Sequence, residues 1–237
     1  MTTFVLVHGA WHGGWCWHKV VSKLEAMGHK AIAPDMPGHG SDAAPIADVT
    51  LDDITRRVRE VVEAQDEKVV LVGHSYGGAI ITQAAEYLSD KIKSLAYVTA
   101  FLLGDGETLM AMAQTDAASR LGGNIEMSPD QRTASVNPAV LRDCFYGQSP
   151  DEDVRFARAR LSLEATAGMQ TPMRTTAARF GRLPRTYIEC LQDNAVSIDL
   201  QRRLHGALPC ERVFTLDTDH SPFFSAPDAL SEALGRL

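Results

Sequence analysis

Runs of lysine or arginine are absent from this chain, and so is any long apolar stretch. Lys and Arg together number 23 against 30 Asp and Glu, a formal charge of -7. A nucleic acid or an anionic membrane demands a basic face, so neither is expected as the main partner. No uninterrupted apolar run nears the ~20 residues that a membrane span requires. The opening Met1-Thr2-Thr3-Phe4-Val5 enters a strand pattern at once, so no signal peptide is expected. Cysteine is scarce. Cys16, Cys144, Cys190 and Cys210 show neither CxxC nor zinc-ribbon spacing. Cys190 closes one predicted strand and Cys210 opens a later parallel one, which sets them at opposite edges of the sheet, beyond disulfide reach. Reduced, structural thiols in a cytoplasm are the expectation. Internal repeats and low-complexity segments are also lacking.

What remains is an ordinary globular composition. Hydrophobic residues make up 45% and charged residues 22% of 237 positions, enough for one well-cored domain with room for an inserted lobe. Short apolar runs at Phe4-Val7, Ala31-Ala33, Val69-Val72, Leu95-Val98, Tyr187-Cys190 and Arg212-Leu216 alternate with helical patterns. A parallel sheet buried on both faces reads this way. Trp17, Val20, Val21, Leu24 and Met27 recur at helical spacing before Gly28, a left-handed stop. Thr50 and Asp53 form a capping-box pattern, and Ser225 is the expected cap of a last helix carrying Leu230, Leu234 and Leu237.

The alternation stops between residues 104 and 183. That stretch has no β-like run, is rich in Met, and carries Ser-Pro helix starts at Ser128-Pro129-Asp130 and Ser149-Pro150-Asp151. It reads as a helical cap inserted into a core made of residues 1–103 and 184–237. Its methionines suit either core filling or an adaptable pocket wall.

The most specific motif is Gly73-His74-Ser75-Tyr76-Gly77-Gly78, directly after one buried strand and directly before a helix. A chain that reverses so sharply leaves no room for side chains two residues either side of the serine, hence Gly73 and Gly77. The turn lifts the Ser75 hydroxyl above the sheet and aims a helix N-terminus at any negative charge developing there. No Lys follows Gly78, which disfavours a phosphate loop, and the dinucleotide fingerprint is unmatched.

A serine hydroxyl needs a base to become a useful nucleophile. Of eight histidines, His220 follows the last strand and emerges at the same sheet edge as Ser75. His8, His12, His18 and His39 lie in early loops suited to shaping a pocket. His8 and His12 lack the HExxH pattern, so no metal site is expected. Asp193, a few residues past the fifth strand, is the acid that would orient the imidazole, with Asp105 as its rival. Asp35 reads as a loop stabiliser and Asp219 as a turn cap. The N–H of Tyr76 is one expected oxyanion donor, and the loop His8-Gly9-Ala10-Trp11-His12-Gly13-Gly14 should supply the second.

These residues, with Cys144-Phe145-Tyr146, Ser149-Pro150-Asp151-Glu152 and Asp219-His220, resemble the α/β-hydrolase superfamily over nearly the whole chain. The likeness is to the branch of small plant-type methylesterases and hydroxynitrile lyases with their bacterial esterase relatives. It implies a six-stranded, mostly parallel sheet with helices on both faces, a helical cap and no cofactor. It also implies Ser75, Asp193 and His220 as triad, with Ala10 and Tyr76 as oxyanion N–H donors. The cyanogenic lyases of this branch carry Thr where this chain has Gly9 and Lys where it has Ser221. Hydrolysis is therefore favoured over C–C lysis.

The expected activity is cleavage of a carboxylic ester, or a related carbamate or lactone, of a small, largely apolar substrate. The alternatives are a hydroxynitrile lyase-like C–C lyase and a non-catalytic ligand-binding receptor on the same fold. A haloalkane dehalogenase is excluded because its elbow carries Asp and this one carries Ser75. Trp11, Phe101, Phe145, Tyr146 and Phe223 are candidate substrate-binding residues, as is the Tyr76 ring. A homodimer through the cap or an edge helix is compatible with the pattern, though no motif specifies it.

Overall fold

The computed structural model describes all 237 residues. Its central sheet takes up the six apolar runs as strands, and its order explains where the chemistry can sit. The chain runs β1 (Thr3–Val7), α1 (His18–Ala26), β2 (Lys30–Ile32), α2 (Leu51–Glu63), β3 (Val69–His74), α3 (Tyr76–Leu88) and β4 (Ile92–Val98). The cap then contributes α4 (Leu109–Ala113), β5 (Ile125–Met127), β6 (Thr133–Val136), α5 (Leu141–Phe145), α6 (Asp151–Arg158), β7 (Glu164–Ala165) and α7 (Thr166–Gln170). The core resumes with β8 (Arg185–Cys190), α8 (Ile198–Ala207), β9 (Arg212–Leu216), α9 (Pro222–Ser225) and α10 (Pro227–Gly235).

The sheet order is β2-β1-β3-β4-β8-β9, with every pairing parallel. From β1 the chain steps outward to β2, then returns past β1 to β3 and continues the other way. Strand order therefore reverses between β1 and β3, and the crevice at their C-terminal ends is where such sheets bind ligands. The loop after β1 and the Ser75 turn after β3 both open there. Every residue of β1 and β3 is buried, as helices on both faces require.

Local signals hold with four exceptions, the first being that α6 starts one residue after Pro150 and Ser149 does not cap it, its hydroxyl donating to Asp219 at 3.0 Å instead. Thr50 and Asp53 close a capping box on α2, worth about 1 kcal/mol. Gly28 ends α1's extension at φ +83°. All four cysteines are free. The cap is not purely helical, however: β5, β6 and β7 form a small antiparallel sheet. Ser128-Pro129-Asp130 makes the turn between β5 and β6 instead of starting a helix, its Ser128 hydroxyl donating to Asp130 at 2.6 Å. Ser225 does not cap α10. It ends α9, and its hydroxyl donates to Asp219 Oδ1 at 2.6 Å. No helix is long and apolar enough to cross a membrane.

Candidate active site

The turn after β3 has the conformation its glycines predict. Ser75 sits at φ +53°, ψ -121°, a left-handed backbone that costs a non-glycine residue roughly 1–3 kcal/mol. A Cβ on Gly77 would come within 2.6 Å of the Val7 carbonyl oxygen, and one on Gly9 within 2.9 Å of Ser75 Cβ. The two loops at the switch point are thus packed against each other at backbone distance.

Asp193 and His220 meet directly. His220 Nδ1–H donates to Asp193 Oδ2 at 2.6 Å, both side chains being sealed from solvent. Thr99 donates to the same oxygen, while Oδ1 accepts the N–H groups of Ala195 (2.7 Å) and Val196 (2.8 Å). Four donors fix this carboxylate, so its orientation is set before any substrate arrives. Asp105, the rival, instead accepts the Thr175 N–H at an exposed position. Asp219 caps the His220 turn, accepting from Ser221 N–H (3.0 Å) and Ser225, and reaches the cap through Gln148 N–H (2.8 Å) and the Ser149 hydroxyl (3.0 Å).

Ser75 and His220 are joined through His74. The His74 ring lies 4.6 Å from that of His220 and donates Nε2–H to the His220 carbonyl at 2.7 Å. No hydrogen bond links Ser75 Oγ to the His220 ring, a contact that in such sites commonly tightens with substrate in place. The N–H of Ala10 has no partner within the protein. Tyr76 heads α3, where a first-turn N–H has no intrahelical acceptor. Ala10, Ser75 and Tyr76 share one cavity of about 250 Å³.

That cavity is apolar. Phe101, Leu109, Met110, Ile125 and Met169 line it, so some of the cap's methionines do serve as pocket wall. Asp116 is the one charged side chain on the wall, and Ser197 occupies it through its N–H (2.8 Å) and hydroxyl (2.6 Å). Of the five candidate substrate contacts, Trp11 and Phe101 line the cavity, but Phe145, Tyr146 and Phe223 do not. All three are buried behind the loops that carry Ser75 and His220 instead: Phe145 packs 5.4 Å from the His220 ring, Phe223 4.9 Å from His74, and Tyr146 bonds His12. Aromatic character alone cannot say which side of a loop a ring takes.

The early histidines brace these loops. His12 donates Nδ1–H to the Ala10 carbonyl (2.8 Å) and accepts from the Tyr146 hydroxyl at Nε2 (2.7 Å). His8 donates Nδ1–H to the Gly9 carbonyl (2.9 Å) and accepts the Met36 N–H (3.1 Å). Asp35 stabilises its loop as expected, accepting the N–H groups of Gly14 (2.7 Å) and Ser41 (2.9 Å). Burial, reinforced by nearby His39, pushes His8 down to about 3. Burial pushes His12 down to about 4 against the opposing pull of its Ala10 bond, and it holds His74 well below the usual range.

An acid sensitivity follows from these three rings. Above the ordinary value of ~6.5 neither folded nor unfolded chain protonates them, and they add no pH dependence. Below it the unfolded chain binds protons that the folded chain refuses, costing about 1.4 kcal/mol per pH unit per ring. The loss continues until the folded values are reached. His39 works oppositely: burial alone would lower it, but its bond to Glu164 outweighs that and raises it. Its contribution is complete below ~6.5 and fades as pH rises through the folded value, so it leaves the acid slope intact. Denaturant melts should therefore lose roughly 4 kcal/mol between pH 6 and pH 5. A flat unfolding free energy across that interval would contradict the buried, neutral assignment.

A family model described as the alpha/beta hydrolase family matches residues 4–233. Methylesterase 9 of Arabidopsis thaliana is 32% identical, the match covering 100% of this chain and 98% of that one. A longer chloroplastic relative from the same plant is also 32% identical over 98% of this chain, which spans 62% of that relative's length. Among solved structures, the Arabidopsis methylesterase protein MES16 is 30% identical with a TM-score of 0.89, covering 100% of this chain and 98% of its own. A pyrethroid hydrolase from Sphingobium faniae JZ-2 is 28% identical with a TM-score of 0.85, covering 99% and 96%.

Proposed function

Because this chain belongs to the alpha/beta hydrolase family, we propose that it is a serine hydrolase that cleaves a carboxylic ester of a small, largely apolar substrate. The observation that carries this reading is the 2.6 Å His220–Asp193 bond, tied through the His74 ring to the turn of a strained, pocket-facing Ser75. Asp193 holds the imidazole in the tautomer whose Nε2 is free to accept a proton. As Ser75 Oγ bonds to the ester carbonyl carbon, its proton passes to His220 Nε2. The carbonyl oxygen becomes an oxyanion facing the N–H groups of Ala10 and Tyr76. Collapse breaks the bond to the alkoxide, which leaves as an alcohol with the proton from His220. Water then repeats the sequence on the acyl-serine and releases the acid.

The cavity supports the substrate class. Its volume of about 250 Å³ falls below the ~300 Å³ at which typical ligand pockets begin. Its wall carries no cationic side chain to receive a carboxylate. A neutral ester therefore fits better than one bearing a free acid, and the methylesterase relatives favour a short alcohol. Nothing favours the lyase alternative: position 9 is glycine, with no side-chain hydroxyl, and position 221 is a fully buried serine, with no ammonium.

Fluorophosphonate labelling tests the nucleophile. A single adduct on the peptide containing Ser75, blocked by a neutral methyl or p-nitrophenyl ester of a short acid, is the expected result. Labelling at another residue, or no turnover across a panel of short neutral esters, would remove this reading.

A further inference from the structure

The loop bearing the Ala10 N–H is fastened from outside itself. Trp11 stands at φ +64°, a left-handed conformation uncommon for a bulky residue. The polar groups of Trp11 itself and the Ala10 carbonyl are all tied. The Ala10 carbonyl accepts from His12, which in turn accepts from Tyr146 of the cap. The Trp11 N–H donates to Glu164 Oε2 (3.1 Å), its carbonyl accepts the Ser162 N–H (3.0 Å), and its indole donates to the Ala134 carbonyl (3.0 Å). Glu164, Ser162 and Ala134 all belong to the cap. The Ala10 N–H has no protein partner, and it belongs to a residue that lines the cavity with Ser75.

Glu164 Oε1 accepts the neighbouring Ala165 N–H (3.0 Å), which leaves Oε2 to reach across to Trp11. Glu164 is 1% exposed, and a carboxylate withdrawn from water to that degree needs a counter-charge. His39 supplies it. Its Nε2–H donates to Glu164 Oε2 at 3.0 Å and its Nδ1–H to the Pro37 carbonyl at 3.1 Å. An acceptor faces each ring nitrogen, a setting that favours the doubly protonated ring, and the Glu164 bond raises the His39 pKa although burial opposes it. The Glu164 carboxylate thus joins the cap, the loop after β1 and the loop after β2 at a single buried oxygen.

We propose that Glu164 is a positioning residue for the oxyanion hole. By gripping the Trp11 N–H it fixes the Ala10–Trp11 peptide plane and, through it, the direction in which the Ala10 N–H points. His39 is the counter-ion that keeps the grip charged, and Tyr146 holds the other end of the same peptide through His12. This inference rests on the serine-hydrolase reading above, in which that N–H stabilises the tetrahedral oxyanion. A group acting on the hole changes transition-state binding and leaves ground-state binding nearly alone.

The test compares Glu164→Ala, Glu164→Gln and Tyr146→Phe on a short neutral ester. The readouts are kcat, KM and the affinity of an apolar trifluoromethyl ketone. This ketone adds to Ser75 Oγ, sends the serine proton to His220 and places a full oxyanion in the hole. Loss of one oxyanion donor is worth about 10²- to 10³-fold. Glu164→Ala is expected to lower kcat about 100-fold with KM within about threefold, and to weaken the ketone by the same factor. Glu164→Gln keeps an oxygen for the Trp11 N–H and should recover kcat to within about tenfold of the parent. Tyr146→Phe removes one hydroxyl and should cost roughly three- to tenfold in both kcat and ketone affinity.

A folded Glu164→Ala with parental kcat, a loss carried by KM alone, or a Gln variant as poor as the Ala variant would overturn the proposal. Circular dichroism checks folding. Should Glu164→Ala not fold, Tyr146→Phe decides the matter, unchanged ketone affinity there being fatal. A parent enzyme inert to both ester and ketone would instead remove the underlying hydrolase reading.

Discussion

Ser75→Ala is expected to lose about 10⁴- to 10⁶-fold in kcat on any ester the parent cleaves, while folding normally. The size of the loss follows from the route. Without the hydroxyl no acyl-serine forms, and the remaining hole and pocket can only assist direct attack by water. Folding is spared because the Ser75 side chain bonds nothing that the fold depends on. Its backbone does the anchoring: the N–H donates to the Val98 carbonyl (3.3 Å), and the carbonyl accepts from Gly78 (3.0 Å) and Phe101 (3.1 Å). Alanine keeps all three bonds. It also keeps the left-handed strain, so its melting temperature should match the parent's. Active-site titration and a melt together check both halves. Turnover within tenfold of the parent would mean that another group attacks the substrate.

The second large effect is at Asp193. Asp193→Asn preserves shape and removes one acceptor, and the surroundings dictate which way the amide must face. The N–H groups of Ala195 and Val196 claim the oxygen, since they can only donate. The new NH₂ therefore faces His220 Nδ1 and the Thr99 hydroxyl. An amide donor there forces Nδ1 to accept, which places the ring's proton on Nε2, where the base needs a lone pair. The expected result is a fall in kcat of about 10⁴-fold, with KM nearly unchanged and stability lowered by about 1 kcal/mol or less. Steady-state kinetics on one good ester measures it. A loss of under tenfold would show that His220 finds its tautomer without Asp193, and the acid would have to be sought elsewhere.

Much of this was legible before any coordinates because its signals are local. Each of the six apolar runs overlaps an observed strand, with ends within three residues, and Gly73-x-Ser75-x-Gly77 carries its own steric reason. His220 and Asp193 were readable from their places just past strand ends, since parallel strands deliver all such loops to one rim. The cap was harder. Its strands are short: Ile125–Met127 is exposed throughout, and Thr133–Val136 spans four residues. Neither is long enough for alternation to emerge. Ser128 looked like a helix cap because the same side-chain bond that starts a helix also closes a turn. The Glu164–His39 pair had no signal at all: its members are 125 residues apart, and each is an ordinary titratable residue until folding strips the water away. Phe145, Tyr146 and Phe223 show the same gap, because hydrophobicity reports burial and says nothing of which void a ring borders.

The cap's grip on the loops restricts substrate traffic. Gln148 and Ser149 hold the turn that carries His220, and Glu164 and Ser162 hold the loop beside Ser75. A cap swinging away as one body would undo both sets of ties and leave an enzyme dismantled at the moment of loading. Entry and exit must then run through the cavity's own solvent-exposed side, where its lining residues are Gln114, Gly122, Gly123 and Ile125 and Gly123 adopts φ +75°. Turnover on bulky esters would accordingly be throttled by the width of that portal, whatever the speed of the bond-breaking inside.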